Sequence, residues 1–154
     1  KQWHDASFAG LMKDYVAKSR IRLAFLNYPL SIHPNAMPAA EAAMCAGVQN
    51  RFWPMHESLF ATQQRWESMS NTTALFDSLA AATGINMSLY RECTTKHLTA
   101  PLIEADHDRA SAVGVRSTPT FIVEGQLFLG ADQNGPLRAA IDAALAKAGK
   151  KPAN

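Results

Sequence analysis

A proline heads an apolar run in Gly114-Val115-Arg116-Ser117-Thr118-Pro119-Thr120-Phe121-Ile122-Val123, and that limits the fold more than any other feature of the chain. Pro119 has no N–H to give to a ladder, so it stands at the first position of a strand or at a sheet edge. An X-Pro bond in such a place has one further use, the cis peptide, which turns the chain sharply. Thr118-Pro119 is therefore the first candidate for a functional loop. An absence stands beside it: the 154 residues contain no Cys-x-x-Cys.

Around this loop the sequence divides into recognisable elements. Trp3, Phe8, Leu11, Met12, Tyr15 and Val16 include the spacing of an amphipathic helix from about Gln2 to Lys18. Lys1-Gln2-Trp3 offers no capping side chain before the first apolar residue, which raises the expectation that further sequence lies upstream. Arg20 to Leu26 alternates and then turns apolar, predicting a strand that ends at Asn27-Tyr28-Pro29. From Pro38 to about Gly114 the pattern is helical. Pro38 fits a first turn, Gly47 a break, and Asn50, Asn71 and Asn86 three helix caps. A further helix from about Thr99 carries Leu102, Ile103 and Val113. After Pro119, two short apolar runs separated by Glu124-Gly125 predict a β-hairpin. A last helix has Pro136 in its first turn, Leu137, Ile141 and Leu145 on one face, and Gly149 at its stop.

This order of elements is α/β with a helical insertion, and the length suits one domain spanning 1–154, the insertion at about 35–114. Hydrophobic residues make up 47% and charged residues 18%, a balance that supports a packed core and excludes a disordered chain. A net charge of +2, with Lys147, Lys150 and Lys151 as the one basic cluster, argues against nucleic acid as a partner. That cluster reads as a solvated, fraying end. No apolar run approaches the ~20 residues of a membrane span. No charged-then-apolar signal opens the chain, which reads as a mature or trimmed soluble protein.

Cys45 and Cys93 stand far apart, without metal-ligand spacing. Two readings remain open from the residues themselves: buried thiols acting as small hydrophobes, or a disulfide closing a long loop, which would imply an oxidising compartment. Five histidines invite a metal, but His56-Glu57-Ser58-Leu59-Phe60 is no His-Glu-x-x-His and no short repeated ligand spacing occurs. No phosphate loop, nucleophile elbow or other cofactor motif is present, so the sequence calls for no cofactor and no metal.

Taken together, the segments Lys1-Gln2-Trp3-His4, His33-Pro34-Asn35-Ala36-Met37-Pro38 continuing to Cys45-Ala46-Gly47, Phe52-Trp53-Pro54-Met55-His56-Glu57 and Gly114 to Phe121 resemble the DsbA-like branch of the thioredoxin superfamily. These are disulfide oxidoreductases of the bacterial cell envelope. The resemblance covers nearly the whole chain and implies a thioredoxin-like fold with an α-helical insertion, in the bacterial periplasm or another extracytoplasmic place. In that family a buried central strand leads into Cys-x-x-Cys, and a segment like Lys1-Gln2-Trp3-His4 follows the second cysteine. The expectation is therefore that the first, central strand and the catalytic motif are missing here and lie immediately before Lys1. The slot so left between Ile21–Leu26 and Thr120–Val123 is expected to be filled by an upstream fragment or by a second copy in a homo-oligomer, unless the sheet rearranges.

The same resemblance implies the chemistry. A thiolate at a helix N-terminus forms a mixed disulfide with a client and a second cysteine resolves it, with a redox partner protein restoring the pair. Thr118 and Pro119 are then substrate-binding, Cys45 and Cys93 a structural disulfide, and His4 and Glu41 candidates for tuning a thiolate or moving its proton. Both also fit plain packing or solvent-facing roles. Trp3, Trp53 and Trp66 fit a peptide groove or, better, the core. Clients are proteins with thiols or disulfides. The chain alone is expected to be redox-inactive, with a non-catalytic peptide-binding or chaperone-like protein as the alternative and a purely structural fragment as a third reading.

Overall fold

The computed structural model describes residues 1–149; the sequence reading of Lys150 and Lys151 as part of a solvated tail falls outside them. The chain forms two compact units, one from Lys1–Phe25 with the segment starting at Val113, the other from Leu26–Ala112. It is mixed α/β and mostly helical.

In the first unit, helix α1 covers residues 2–16, with a central α-helical turn Ala9–Leu11 between π-helical stretches His4–Phe8 and Met12–Val16. Phe8, Leu11 and Tyr15 are buried along one face, as an i, i+3, i+7 pattern requires. The helix ends in wide turns: Ala17 N–H donates to Met12 O and Arg20 N–H to Tyr15 O, at 2.8 and 2.9 Å. Strands β1 (Thr120–Val123) and β2 (Gln126–Leu129) pair antiparallel, with Thr120 opposite Leu129 and Val123 opposite Gln126. Glu124 and Gly125 both take positive φ, +48° and +81°, the conformation a two-residue hairpin turn of this twist demands. Helix α8 (Asn134–Lys147) buries Leu137, Ile141 and Leu145 and packs on β1. Arg138 of α8 donates to Asp14 of α1 at 2.7 Å, and Tyr15 OH donates to Asp142 at 3.1 Å.

The alternation of Arg20 to Leu26 predicts a strand, and here the structure differs. Among the described residues, 21–24 make no backbone hydrogen bond, and the sheet consists of β1 and β2. The burial pattern of a strand is present, Ile21 and Leu23 half-buried with Arg22 and Ala24 exposed, but periodicity sets only the faces. A strand also needs a ladder partner, and among the described residues none lies beside it.

The second unit is helical: α2 (Ala36–Gly47), α3 (Phe52–Ala61), α4 (Gln63–Trp66), α5 (Thr73–Ala82), α6 (Met87–Thr95) and α7 (Ala100–Ala112). Its core gathers the small face of α2, where Ala42, Cys45 and Ala46 are 1%, 1% and 0% exposed, against Met55, Phe76 and Tyr90. Alanines let the neighbouring helices approach closely, and a Cβ at Gly47 would already press on Phe52 at 3.3 Å. Asn86 caps α6 as expected, accepting from Ser88 and Leu89 N–H. Asn71 accepts from Thr73 N–H at the start of α5. Asn50 does not cap α3; it adopts φ +61° in the turn after α2, a conformation asparagine tolerates better than most residues. The one-turn helix α4 has no sequence periodicity to announce it and is held from outside, Asn35 Nδ2 donating to the carbonyls of Trp66 and Met69 at 2.8 Å each. Ile103 of α7 is fully buried, whereas Leu102 and Val113 are exposed. Asp106 of α7 holds the entry to this unit, accepting from both the backbone and the side-chain N–H of buried Asn27. Among the described residues no helix is long and apolar enough to cross a membrane.

Candidate functional site around the Thr118–Pro119 loop

The first unit brings one end of its hairpin to the first turn of α1. The Thr118–Pro119 peptide is cis. Pro119 immediately precedes β1, and its carbonyl accepts from Gly130 N–H at 2.9 Å, so the hairpin holds the proline from its far strand. Two residues on, Phe121 meets Trp3 at a tilt of 47° with ring centroids 4.4 Å apart, and Trp3 in turn meets Phe8 edge-on at 6.2 Å. Pro119 thus stands two residues before the ring that meets the first turn of α1.

Thr118 itself is exposed and, among the described residues, neither its N–H nor its C=O has a hydrogen-bond partner. Its neighbours bond locally: Thr120 Oγ1 donates to Ser117 O at 2.7 Å and Arg116 Nη1 to Val115 O at 2.7 Å. The loop thus offers one residue's main chain to whatever lies against it. Unpaired strand-like main chain of this kind accepts an extended peptide by adding a strand.

The other candidate residues fall in different places. His4 lies one residue beyond Trp3, its ring stacked on Phe8 at 5.0 Å and its Nδ1 3.4 Å from Asp5 Oδ1. Trp3 is buried, and its indole Nε1 has no hydrogen-bond partner among the described residues. Glu41 belongs to the second unit, where its buried carboxylate lies 2.8 Å from His97 Nδ1, so its nearest partner is that imidazole. Cys45 and Cys93 form a disulfide, 1% and 6% exposed, that ties α2 to α6. Trp66 is a core residue, its Nε1 donating to Leu59 O. Sequence reasoning missed the pairing of Glu41 with His97, whose signal was the shared four-residue offset from the two cysteines.

A family model described as thioredoxin matches residues 1–143. Among known proteins, the chain is 34% identical over 145 residues to the Na(+)/H(+) antiporter NhaA 3 of Salinispora tropica, covering 92% of this chain and 21% of that protein. It is 34% identical over 137 residues to the Na(+)/H(+) antiporter NhaA 1 of Salinispora arenicola, covering 87% and 20%. It is 30% identical over 109 residues to the corresponding protein of Mycolicibacterium gilvum, covering 68% and 16%. The chain spans about a fifth of the length of the first two of these curated relatives.

Proposed function

This chain belongs to the thioredoxin family, and from that premise we propose that it is the client-binding part of a DsbA-like thiol:disulfide oxidoreductase. Its clients are proteins with thiols or disulfides. The observation that carries this reading is the exposed main chain of Thr118, without a hydrogen-bond partner among the described residues, beside Pro119 and close in sequence to the Phe121–Trp3 contact. A client laid along β1 bonds to Thr118 in extended form, which holds its cysteine near the helix start. A thiolate placed there is stabilised by the helix dipole and by free N–H groups of the first turn. His4, one turn into that helix, is the tuning residue in this scheme; Glu41, engaged by His97, is a weaker candidate. The Cys45–Cys93 disulfide supports placement in the bacterial periplasm or another extracytoplasmic compartment, where such bonds persist. The sodium–proton antiport in the relatives' names belongs to much longer proteins, and the thiol-exchange reading does not draw on it.

A second reading has its own observation. The chain's two cysteines are both committed to a buried disulfide and no Cys-x-x-Cys occurs, which fits a peptide-binding or chaperone-like protein without redox turnover. One pair of experiments separates the readings. Titrating a reduced, extended client peptide into the 15N-labelled chain shifts the amide signals of Thr118 and Thr120; unchanged signals there refute both peptide-binding readings. The 154 residues alone give no insulin-reduction turnover, and placing Cys-x-x-Cys directly before Lys1 produces it under the first reading and not under the second. Turnover by the chain as it stands, lost in Cys45→Ser, would move the chemistry to Cys45.

A further inference from the structure

The start of α8 carries a reactive pair that neither the Pro119 loop nor the core uses. Asn134 is followed by Gly135, and no other asparagine of the chain precedes a glycine. Both residues are exposed. The side-chain amide of an asparagine is open to attack by the main-chain nitrogen of the next residue, and a glycine there puts no side chain in the way. At Gly135 even the space that a Cβ would occupy is empty to 4 Å.

The attacking nitrogen is available. Gly135 lies in the first turn of α8, whose N–H groups have no intrahelical partner. Attack also requires that turn to open, because helical main chain holds the nitrogen away from Cγ of the residue before it. Two local features favour opening: glycine is a poor helix former, and Pro136 disfavours the helical conformation at the residue preceding it. The electrophile is prepared as well. Asn134 Oδ1 accepts from Arg138 Nε at 3.2 Å, and that guanidinium is itself held by Asp14 at 2.7 Å and by the Tyr15 ring, 5.5 Å from its centroid. A positive donor on the amide oxygen stabilises the negative charge that develops there during attack. Other asparagines are placed differently. Asn27 and Asn35 are buried, with side-chain N–H groups donated to Asp106 and to the carbonyls of Trp66 and Met69. The side chains of Asn71 and Asn86 are occupied by main-chain N–H groups of the turns they cap.

We propose that Asn134-Gly135 is a site of spontaneous deamidation, where a neutral amide on Arg138 is replaced irreversibly by a carboxylate. The Gly135 nitrogen gives its proton to solvent hydroxide and bonds to Asn134 Cγ. The bond from Cγ to the amide nitrogen breaks, and ammonia leaves. Water then opens the cyclic imide, so one water enters, one ammonia departs and nothing is oxidised or reduced. The ring opens to aspartate or, at its other carbonyl, to isoaspartate; either product lowers the formal net charge of +2 by one. Aspartate at this position faces Arg138 at the i, i+4 spacing and at a helix N-terminus, both favourable for a negative charge. Arg138 needs no rearrangement to receive it, since Nε meets residue 134 while Nη1 stays on Asp14.

The site is independent of the thiol-exchange reading, and its test uses the whole 154-residue chain aged for weeks at neutral pH and body temperature. A mass gain of about 1 Da is expected in the peptide carrying Asn134, arising at least tenfold faster than at any other asparagine. Gly135→Ala, for which the fold has room, should slow it at least fivefold. Asn134→Asp should raise the urea midpoint by about 0.3 M, the shift an i, i+4 ion pair gives at an ordinary denaturant slope, and the gain should vanish in an Arg138→Met background. No mass gain at Asn134, or the same rate in Gly135→Ala, overturns the proposal in natively folded protein, whatever Arg138→Met does to folding. An Asn134→Asp gain that persists without the guanidinium overturns Arg138 as the group that receives the charge.

Discussion

His97 Nδ1 lies 2.8 Å from Glu41 Oε1, and the two residues repeat the span of the disulfide one helical turn away. Glu41 precedes Cys45 by four residues on α2, and His97 follows Cys93 by four at the end of α6. A left-handed residue conformation at His97, φ +51°, places it where the helix has already ended. The same two helices are therefore held by a covalent link and a polar one side by side.

The two partners differ in burial, and their substitutions should differ accordingly. The Glu41 side chain is 9% exposed and that of His97 70%. His97→Ala strands a buried carboxylate and is expected to lower stability by about 1 kcal/mol, the exposed half of the pair limiting the loss. Glu41→Gln keeps an acceptor for the imidazole and should cost less. Urea midpoints of the two variants at neutral pH check the order; a costlier Glu41→Gln would show that packing, not the hydrogen bond, decides.

The disulfide carries the larger share. It closes a loop with a sequence separation of 48, for which chain entropy gives up to about 4 kcal/mol. Cys45→Ala with Cys93→Ala is expected to lower the urea midpoint by more than any single polar substitution in this unit. Because both sulfurs are buried, thiol trapping should find the bond intact in the folded protein under mild reductant and broken once denaturant is added. Equal reduction rates in both conditions would mean that the helices open locally around it.

What the sequence made legible followed from local physics. The hairpin turn at Glu124-Gly125, the Asn86 cap and the buried stripe Leu137, Ile141, Leu145 each depend on residues within a few positions of one another, and each stands as expected. Residues 21–24 do not, because a strand's ladder partner is a distant event that alternation cannot report. Nor does α4, which is held by Asn35 from more than 25 residues away. At the site, the Pro119 loop announced itself through a chemical prohibition, proline's missing donor.

Acid should loosen the α1–α8 contact through Asp14. The hydrogen bond from Arg138 holds the Asp14 carboxyl below its ordinary value of 3.8. A carboxylate with a lowered folded pKa binds protons more weakly than in the unfolded chain, so its contribution is present above about pH 4 and is lost as pH falls through the folded value. Asp14→Asn should flatten the acid limb of stability below pH 4 by lowering stability at pH 7 toward the acid value, a small loss because the pair is solvent-screened. Gly10→Ala should do part of the same, because its Cβ would fall 2.9 Å from Arg138 Nη2 and displace that guanidinium. Urea midpoints between about pH 2 and pH 7 measure both; an unaltered acid limb in Asp14→Asn would show that the ion pair has no thermodynamic weight.

Alkali should act through the two buried phenols. Burial raises the Tyr90 pKa far above the ordinary phenol value of 10.0, with Asp77 adding to it, and burial with the hydrogen bond to Asp142 raises that of Tyr15. The folded protein then keeps two protons that the unfolded chain has lost, so stability is whole below about pH 10 and falls as pH rises beyond it. Tyr90→Phe removes one of these protons from the balance and is expected to make the alkaline decline shallower. Tyrosinate absorbance after a rapid jump to about pH 11 should rise in step with loss of helical circular dichroism for Tyr15 and Tyr90. A full absorbance change that precedes unfolding would show that both phenols reach solvent in the native state, contrary to their 1% exposure.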